Sequence, residues 1–369
     1  MSDTLPKDLT GATPKARTAQ PVVDCDIHPA WRSPDEMLTY LPVGWRQHVR
    51  DFGLHSPSPL LGALPYPRLA HGMRQDSYPP VGGPPASDLA FLQEQLLDPL
   101  NITHGILQPL SAGHGVLNTA LGEALCAATN DWQIDRWMNP DPRLKGSIAV
   151  MQEDASASLR EIEARAGDRR FVQISITPRT AEPAGNRRYW PIYEAAEALG
   201  LPISLHSAAF GPRANTGAGW TSFYIEEHFA FSHAAQHTLV SMVFQGVFDA
   251  FPRLKVILVE GGFAWLPPTV WRMEREFDRY RSEIPHLKRR PADYVRDHIW
   301  LTTQPVEEPA RSSQLSDLIE WVGIDRLLFS TDYPHWDFDH PDFAFRVPLS
   351  PADRARLMHD NAVGVFGLT

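Results

Sequence analysis

The chain has 369 residues, with 34 Lys and Arg against 44 Asp and Glu, giving a formal net charge of −10. A hydrophobic fraction of 43% excludes a wholly disordered protein, and an acidic balance without a basic stripe argues against nucleic acid as a partner. No apolar run approaches the ~20 residues of a membrane span, so no membrane partner is expected either. Residues 1–20 lack an apolar secretory core and read as a flexible tail. Two cysteines, Cys25 and Cys126, cannot make a disulfide framework, which points to a reducing, cytoplasmic setting.

From residue 21 onward, short apolar strands alternate with amphipathic helices. Strands are expected at 21–28, 102–108, 145–151, 171–177, 202–206, 255–260, 299–303 and 326–332. Helices are expected at 87–97, 117–137, 155–166, 190–199, 224–250, 263–281 and 311–322, with a closing helix at 351–366. Eight strands each followed by a helix make the pattern of an α/β (β/α)8 TIM barrel, and residues 21–369 read as one such domain. An open doubly wound sheet would favour a Gly-rich phosphate loop after the first strand, where this chain has Asp26-Ile27-His28-Pro29. The Pro-rich insertion at 30–87, with Pro59, Pro65, Pro67, Pro79, Pro80, Pro84 and Pro85, breaks the rhythm. It is either a lid over the C-terminal mouth of the barrel or an arm packed on a neighbouring subunit.

Strand side chains alternate between faces, so Val23, Cys25 and Ile27 are expected outward and Asp24, Asp26 and His28 toward the barrel axis. On that reading Cys25 is a packing residue rather than a nucleophile. The same alternation groups Ser204 with His206 at the end of the fifth strand, and Ser330 with Asp332 at the end of the eighth. Glu260 ends the sixth strand. Strand ends therefore deliver Asp26, His28, His206, Glu260 and Asp332 to one rim, where barrel enzymes keep their active sites. Ionisable groups on a core-facing surface need a compensating partner, and a divalent metal is the simplest. A mixed set of imidazoles and carboxylates suits Zn²⁺ or Mn²⁺ better than Ca²⁺ or Mg²⁺.

Each of these residues has a plainer alternative. Asp26 competes with Asp24 for the inward position, and Glu260 is either catalytic or a charge partner for an arginine such as Arg272. Arg179, just past the fourth strand, either holds a substrate carboxylate or lies on the surface. His233 and His237 sit four apart on a helix without an HExxH pattern and stand as substrate-side groups, as does His335 unless it is simply a solvated loop residue. Trp220, Trp265, Trp271 and Trp336 either line an aromatic pocket or pack helices.

Asp26-Ile27-His28 on the first strand, His206 on the fifth and Ser330-Thr331-Asp332-Tyr333-Pro334-His335 after the eighth resemble the amidohydrolase superfamily. The similarity is to its amidohydrolase-2 group, which includes aminocarboxymuconate-semialdehyde and resorcylate-type decarboxylases, and residues 246–267 carry it further. The resemblance implies one divalent metal held by Asp26, His28, His206 and Asp332, a small-molecule substrate, and a homodimer or larger assembly. It departs from the group in three places. The first motif has a shorter carboxylate than the Glu-x-His of the decarboxylase branch. The fourth strand has no lysine to bridge two metals. Glu260 stands where many members have histidine.

The implied activity is non-oxidative decarboxylation of a small carboxylated organic or aromatic molecule, with Asp332 supplying the proton. The alternative is hydrolysis of an ester, lactone or amide, with Asp332 or Glu260 taking a proton from water. A barrel kept only for binding is a third reading. It predicts a broken ligand set, whereas all four ligand positions are filled.

Overall fold

The computed structural model describes residues 20–54, 72–207, 213, 214, 219 and 221–369. The expected tail lies outside them except for Gln20, and so do Trp220 and four of the insertion's prolines, Pro57, Pro59, Pro65 and Pro67. Eight strands form one sheet in sequential order: β1 (Val22–Ile27), β2 (Ile102–Leu107), β3 (Leu144–Ala149), β4 (Phe171–Ile176), β5 (Ile203–His206), β6 (Val256–Val259), β7 (Ile299–Thr302) and β8 (Leu327–Leu328). All neighbouring pairs are parallel. The chain after β8 closes the barrel onto β1. The Cys25 N–H donates to Phe329 O at 3.0 Å and the His28 N–H to Tyr333 O at 2.9 Å.

Helices follow the strands where the apolar periodicity places them. They are α1 (Pro34–Tyr40), α2 (Val43–Phe52), α3 (Leu89–Leu92), α4 (Thr119–Trp132), α5 (Ala155–Arg165), α6 (Trp190–Leu199), α7 (Tyr224–Phe244) and α8 (Val247–Ala250). After β6 come α9 (Leu266–Arg279), α10 (Pro291–His298), α11 (Ser312–Val322), α12 (Pro351–Ala355) and α13 (Asn361–Phe366). Side chains of Asp88, Asn118, Asp154 and Ser350 each accept a backbone N–H at a helix start, which fixes α3, α4, α5 and α12. The helix expected at 224–250 breaks at Gly246, whose φ of 79° is a left-handed conformation that glycine adopts freely. Two features have no counterpart in the periodicity reading: α1 and α2 inside the insertion, and α10 immediately before β7.

Strict alternation fails on β1. Asp24 pairs with Gly105 and Ile27 with Leu107, so β1 spends one more residue than β2 over this stretch. That extra residue is a β-bulge, and it reverses the facing of the residues before it. Val23 and Cys25 cluster with Ile257 and Val259, which stand in register with Ser204 and His206. They therefore fill the barrel interior rather than its outer layer, which corrects the outward placement of Cys25. Ile27 packs outward with Leu97, Leu107 and Leu144. The interior layer is completed from below by Ala362, Val365 and Phe366 of α13 and by Leu368.

Asp24 is turned away from the rim. Its carboxylate accepts the Thr331 N–H at 2.9 Å, the Thr331 hydroxyl at 2.5 Å and the Asp26 N–H at 3.2 Å. Burial pushes its pKa up to about 7 against those hydrogen bonds. Asp24 thus ties β1 to the segment after β8 and leaves the rim to Asp26. The regular part of β8 is only Leu327–Leu328, because Ser330 and Thr331 exchange ladder bonds for side-chain bonds to Thr303 and Asp24.

Candidate metal centre

Six side chains meet at the C-terminal ends of the strands. His28 follows β1, His206 ends β5, Glu260 follows β6, and Asp332 and His335 lie on the segment after β8, with Asp26 beneath them on β1. Asp26, His28, His206 and Glu260 offer ligand atoms within 4.8 Å of one another, and so do His28, Glu260, Asp332 and His335. Glu260 and His28 belong to both groups, and His28 lies between two carboxylates. Its Nε2 lies 2.7 Å from Asp332 Oδ1 and 3.3 Å from Asp26 Oδ1. His206 Nε2 lies 3.2 Å from Asp26 Oδ1 and 3.5 Å from Glu260 Oε2. His335 Nδ1 lies 2.5 Å from Asp332 Oδ1.

Backbone and neighbours hold these groups in place. The His28 Nδ1–H donates to Gln108 O at 2.8 Å, which aims Nε2 at the carboxylates. Gln108 is itself fixed by the Ser204 hydroxyl, which donates to Oε1 at 2.9 Å. The Glu260 N–H donates to Thr302 Oγ1 at 3.0 Å. Glu260 and Asp332 have φ of 52° and 61°, left-handed values that cost a side-chain-bearing residue conformational energy. Such strain concentrates where a side chain must be aimed at one point.

The donor set fits a cation. Asp26 Oδ2, Glu260 Oε2 and Asp332 Oδ2 are buried without a hydrogen-bond partner. Buried carboxylate oxygens are costly in that state, and a divalent ion among them and the imidazoles removes the cost. Oxygen and nitrogen donors together match a transition metal such as manganese or zinc.

The amidohydrolase family pattern matches residues 23–368, nearly the whole barrel with all six of these side chains. The chain belongs to the amidohydrolase family. It is 29% identical over 251 residues to a γ-resorcylate decarboxylase of Polaromonas sp., covering 65% of this chain and 75% of that protein. Among solved structures it is similar to a 2,6-dihydroxybenzoate decarboxylase from Rhizobium, with a TM-score of 0.65 and 22% identity over 95% of this chain and 99% of that one. It is also similar to a 5-carboxyvanillate decarboxylase from Novosphingobium aromaticivorans, solved with manganese and 4-hydroxy-3-methoxy-5-nitrobenzoic acid. That likeness has a TM-score of 0.73 and 19% identity, covering 97% of this chain and 100% of the other. At these identities the structural likenesses speak for the shared fold.

Within this amidohydrolase, the electrostatics follow from the contacts. Burial alone would lower the His28 pKa, but Asp26 and Asp332 outweigh it and raise it well above the usual imidazole value. Burial also opposes ionisation of Asp26 and Asp332. His28 and His206 outweigh it at Asp26, and His335 and His28 at Asp332, so both stay below the ordinary carboxylate range. His206 goes the other way, lowered by burial despite Asp26. Burial, then the charges of Asp332 and Asp26, raise Glu260 well above its ordinary value.

The upward shifts of His28 and Glu260 favour the protonated form of both groups in metal-free protein. A metal competes with protons held there, so uptake is expected to release protons in a number fixed by the site, and affinity rises with pH. Calorimetric titration with manganese in buffers of different ionisation enthalpy measures that number. Uptake without proton release would contradict the protonation assigned to His28.

The remaining expected site residues separate into groups. His335 lines the cavity above the cluster. Trp336 is 53% exposed at the rim, and its Nε1–H donates to the hydroxyl of cavity-lining Tyr224 at 2.9 Å. Arg179 is not a surface residue. It is 3% exposed, and its Nη2 donates to Glu227 Oε1 at 2.7 Å.

His233 and His237 are turned away from the cluster and line a different cavity with Trp265 and Arg272. The cavity-facing side of α7 is set by Tyr224 and Phe231, with His228 near them held at 2.8 Å from Asp337 Oδ2. Five residues beyond His228, His233 has turned about 140° round the helix. Arg272, the alternative partner for Glu260, lies in that other cavity too. Trp265 packs in the core with its Nε1–H on Gly261 O, and Trp271 is 58% exposed.

Two residues near the cluster carry no sequence signal. Gln108 acts on His28 through its backbone carbonyl, which any residue type offers. His114, in the loop after β2, is buried and held neutral, its pKa lowered to about 4 by burial and by the charge of His206. Its surroundings, Gly113 and Gly115, match no ligand spacing. Among the described residues no helix is long and apolar enough to cross a membrane.

Proposed function

We propose that this amidohydrolase is a manganese-dependent non-oxidative decarboxylase of an aromatic carboxylic acid. The observation that carries the reading is three carboxylate oxygens without hydrogen bonds and two strand-end imidazoles, buried under a cavity whose lining is largely apolar. The curated relatives named as γ-resorcylate decarboxylases support the choice of reaction. Asp26, His28, His206 and Asp332 are the proposed ligands, and Glu260 completes the donor set from β6.

A divalent metal bound there supplies the positive charge that anchors a substrate carboxylate with its neighbouring hydroxyl and steadies charge developing in the ring. Gln108 keeps Nε2 of His28 directed into the centre. Asp332 and His335, joined at 2.5 Å, form the route by which a proton reaches the carbon that loses CO₂. The largely apolar lining keeps bulk water from that carbon. Zinc is the other metal the donor set accommodates. The same reading makes the enzyme cytoplasmic, supported by two buried free cysteines. It also makes the enzyme a homodimer or larger, supported by exposed Phe223, Ile225 and Phe229 at one end of α7.

The test is a panel of hydroxylated benzoates scored for CO₂ release, beside a panel of esters and lactones scored for acid release. CO₂ release from hydroxybenzoates by manganese-loaded enzyme is the expected result. Turnover confined to esters or lactones would replace this reading with hydrolysis, with Glu260 as the group taking a proton from water.

A further inference from the structure

The cavity over the cluster has a volume of about 720 Å³. An apolar cavity of roughly 150 Å³ is enough to hold benzene, and a hydroxybenzoate adds only a few heavy atoms to that ring. A single-ring substrate would leave most of the chamber empty.

The chamber is also divided by chemistry. Its imidazoles and its carboxylate lie at the floor, where His28, Glu260 and His335 face it. Its roof is built from Met37 and Leu38 of α1, Val49 of α2, Leu54, and Val116 and Leu125 from the region after β2. All of these but Leu54 are buried members of an apolar cluster separate from the barrel core, and Leu54 packs against that cluster. Away from the floor, the charged side chain on the described lining is Arg32. A large apolar roof sharing one chamber with an ionisable floor is complementary to a molecule with one acidic end and a bulky hydrocarbon end.

We infer that the substrate is an aromatic acid bearing a large apolar substituent, a second ring or a chain of several carbons, which lies against α1, α2 and Val116. The inference rests on the decarboxylase reading, which puts the acid end at the floor. The two helices in the described part of the insertion then supply the surface that selects the substituent.

The test compares binding of 2-hydroxybenzoate with its 4-phenyl, 5-phenyl and 4-hexyl derivatives to manganese-supplemented enzyme by calorimetry, with CO₂ release followed on the same compounds. At least one derivative is expected to bind ten-fold or more tighter than the parent acid. Leu54→Asp, which puts a charge in the roof, and Val116→Trp, which fills it, are each expected to bring that ratio within three-fold. Two variants at separate places guard against one failing to fold. Derivatives binding no tighter than the parent would overturn the inference, even if the parent loses CO₂. Tight, roof-dependent binding without CO₂ release would support the roof and overturn the decarboxylase reading instead.

Discussion

His28→Ala is expected to retain less than a tenth of an equivalent of manganese and to lose at least about 10³-fold in turnover. Partners that merely orient a metal ligand already cost about 10–100-fold in affinity or activity when removed, and His28 stands inside the ligand set. Its Nε2 lies within 3.3 Å of both the Asp26 and the Asp332 carboxylates. In the metal-free protein it also carries the positive charge that balances them, since those carboxylates raise its pKa. Alanine removes the ligand and that counter-charge together, so a melting temperature below the parent's is expected as well. Breaking a buried charge pair by deleting one partner costs about 3–5 kcal/mol. Metal analysis after gel filtration, run beside a thermal melt, separates the two effects. A folded variant holding more than half an equivalent would remove His28 from the centre.

The barrel and most of its rim are legible in the residues because both depend on local pattern. Eight apolar strands separated by helical periodicity leave few folds to choose from. His206 and Glu260 come at strand ends where the periodicity switches, so their placement follows from the strand boundaries. Alternation puts Asp26 and His28 on the correct face for an incomplete reason. Counted back from His28 it is valid only as far as the bulge, and so it assigns Asp24, Val23 and Cys25 to the wrong sides. A bulge is a property of two strands in register, and one strand's sequence does not record it.

What stays hidden is long-range pairing. Arg179 and Glu227 are 48 residues apart, and nothing local in either segment marks the other as its partner. Four-residue spacing puts His233 and His237 on one helical face, but spacing does not say which face meets the barrel mouth. The roof is legible only as a break in the rhythm. Proline content marks the insertion, while the pairing of α1 and α2 with Val116 and Leu125 requires the fold.

Asp332→Asn is expected to lower kcat by about 10³-fold, within the 10²–10⁴-fold range of general acid–base groups, with manganese content kept above half an equivalent. Asparagine matches aspartate in size and still presents an oxygen toward His28. It cannot carry the mobile proton or the full charge that now draws His28 Nε2 to 2.7 Å and His335 Nδ1 to 2.5 Å. Because the proton is needed only as the carbon–carbon bond breaks, kcat and kcat/KM are expected to fall together with KM little changed. Of the two joined residues, His335 faces the cavity directly, while Asp332 is fully buried behind it. His335→Gln is therefore expected to fall by a comparable factor if the proton passes through the imidazole. A loss of ten-fold or less there, beside a full loss in Asp332→Asn, would place the donor on Asp332 itself. Turnover by Asp332→Asn within ten-fold of the parent enzyme would leave the proton to a group outside this pair.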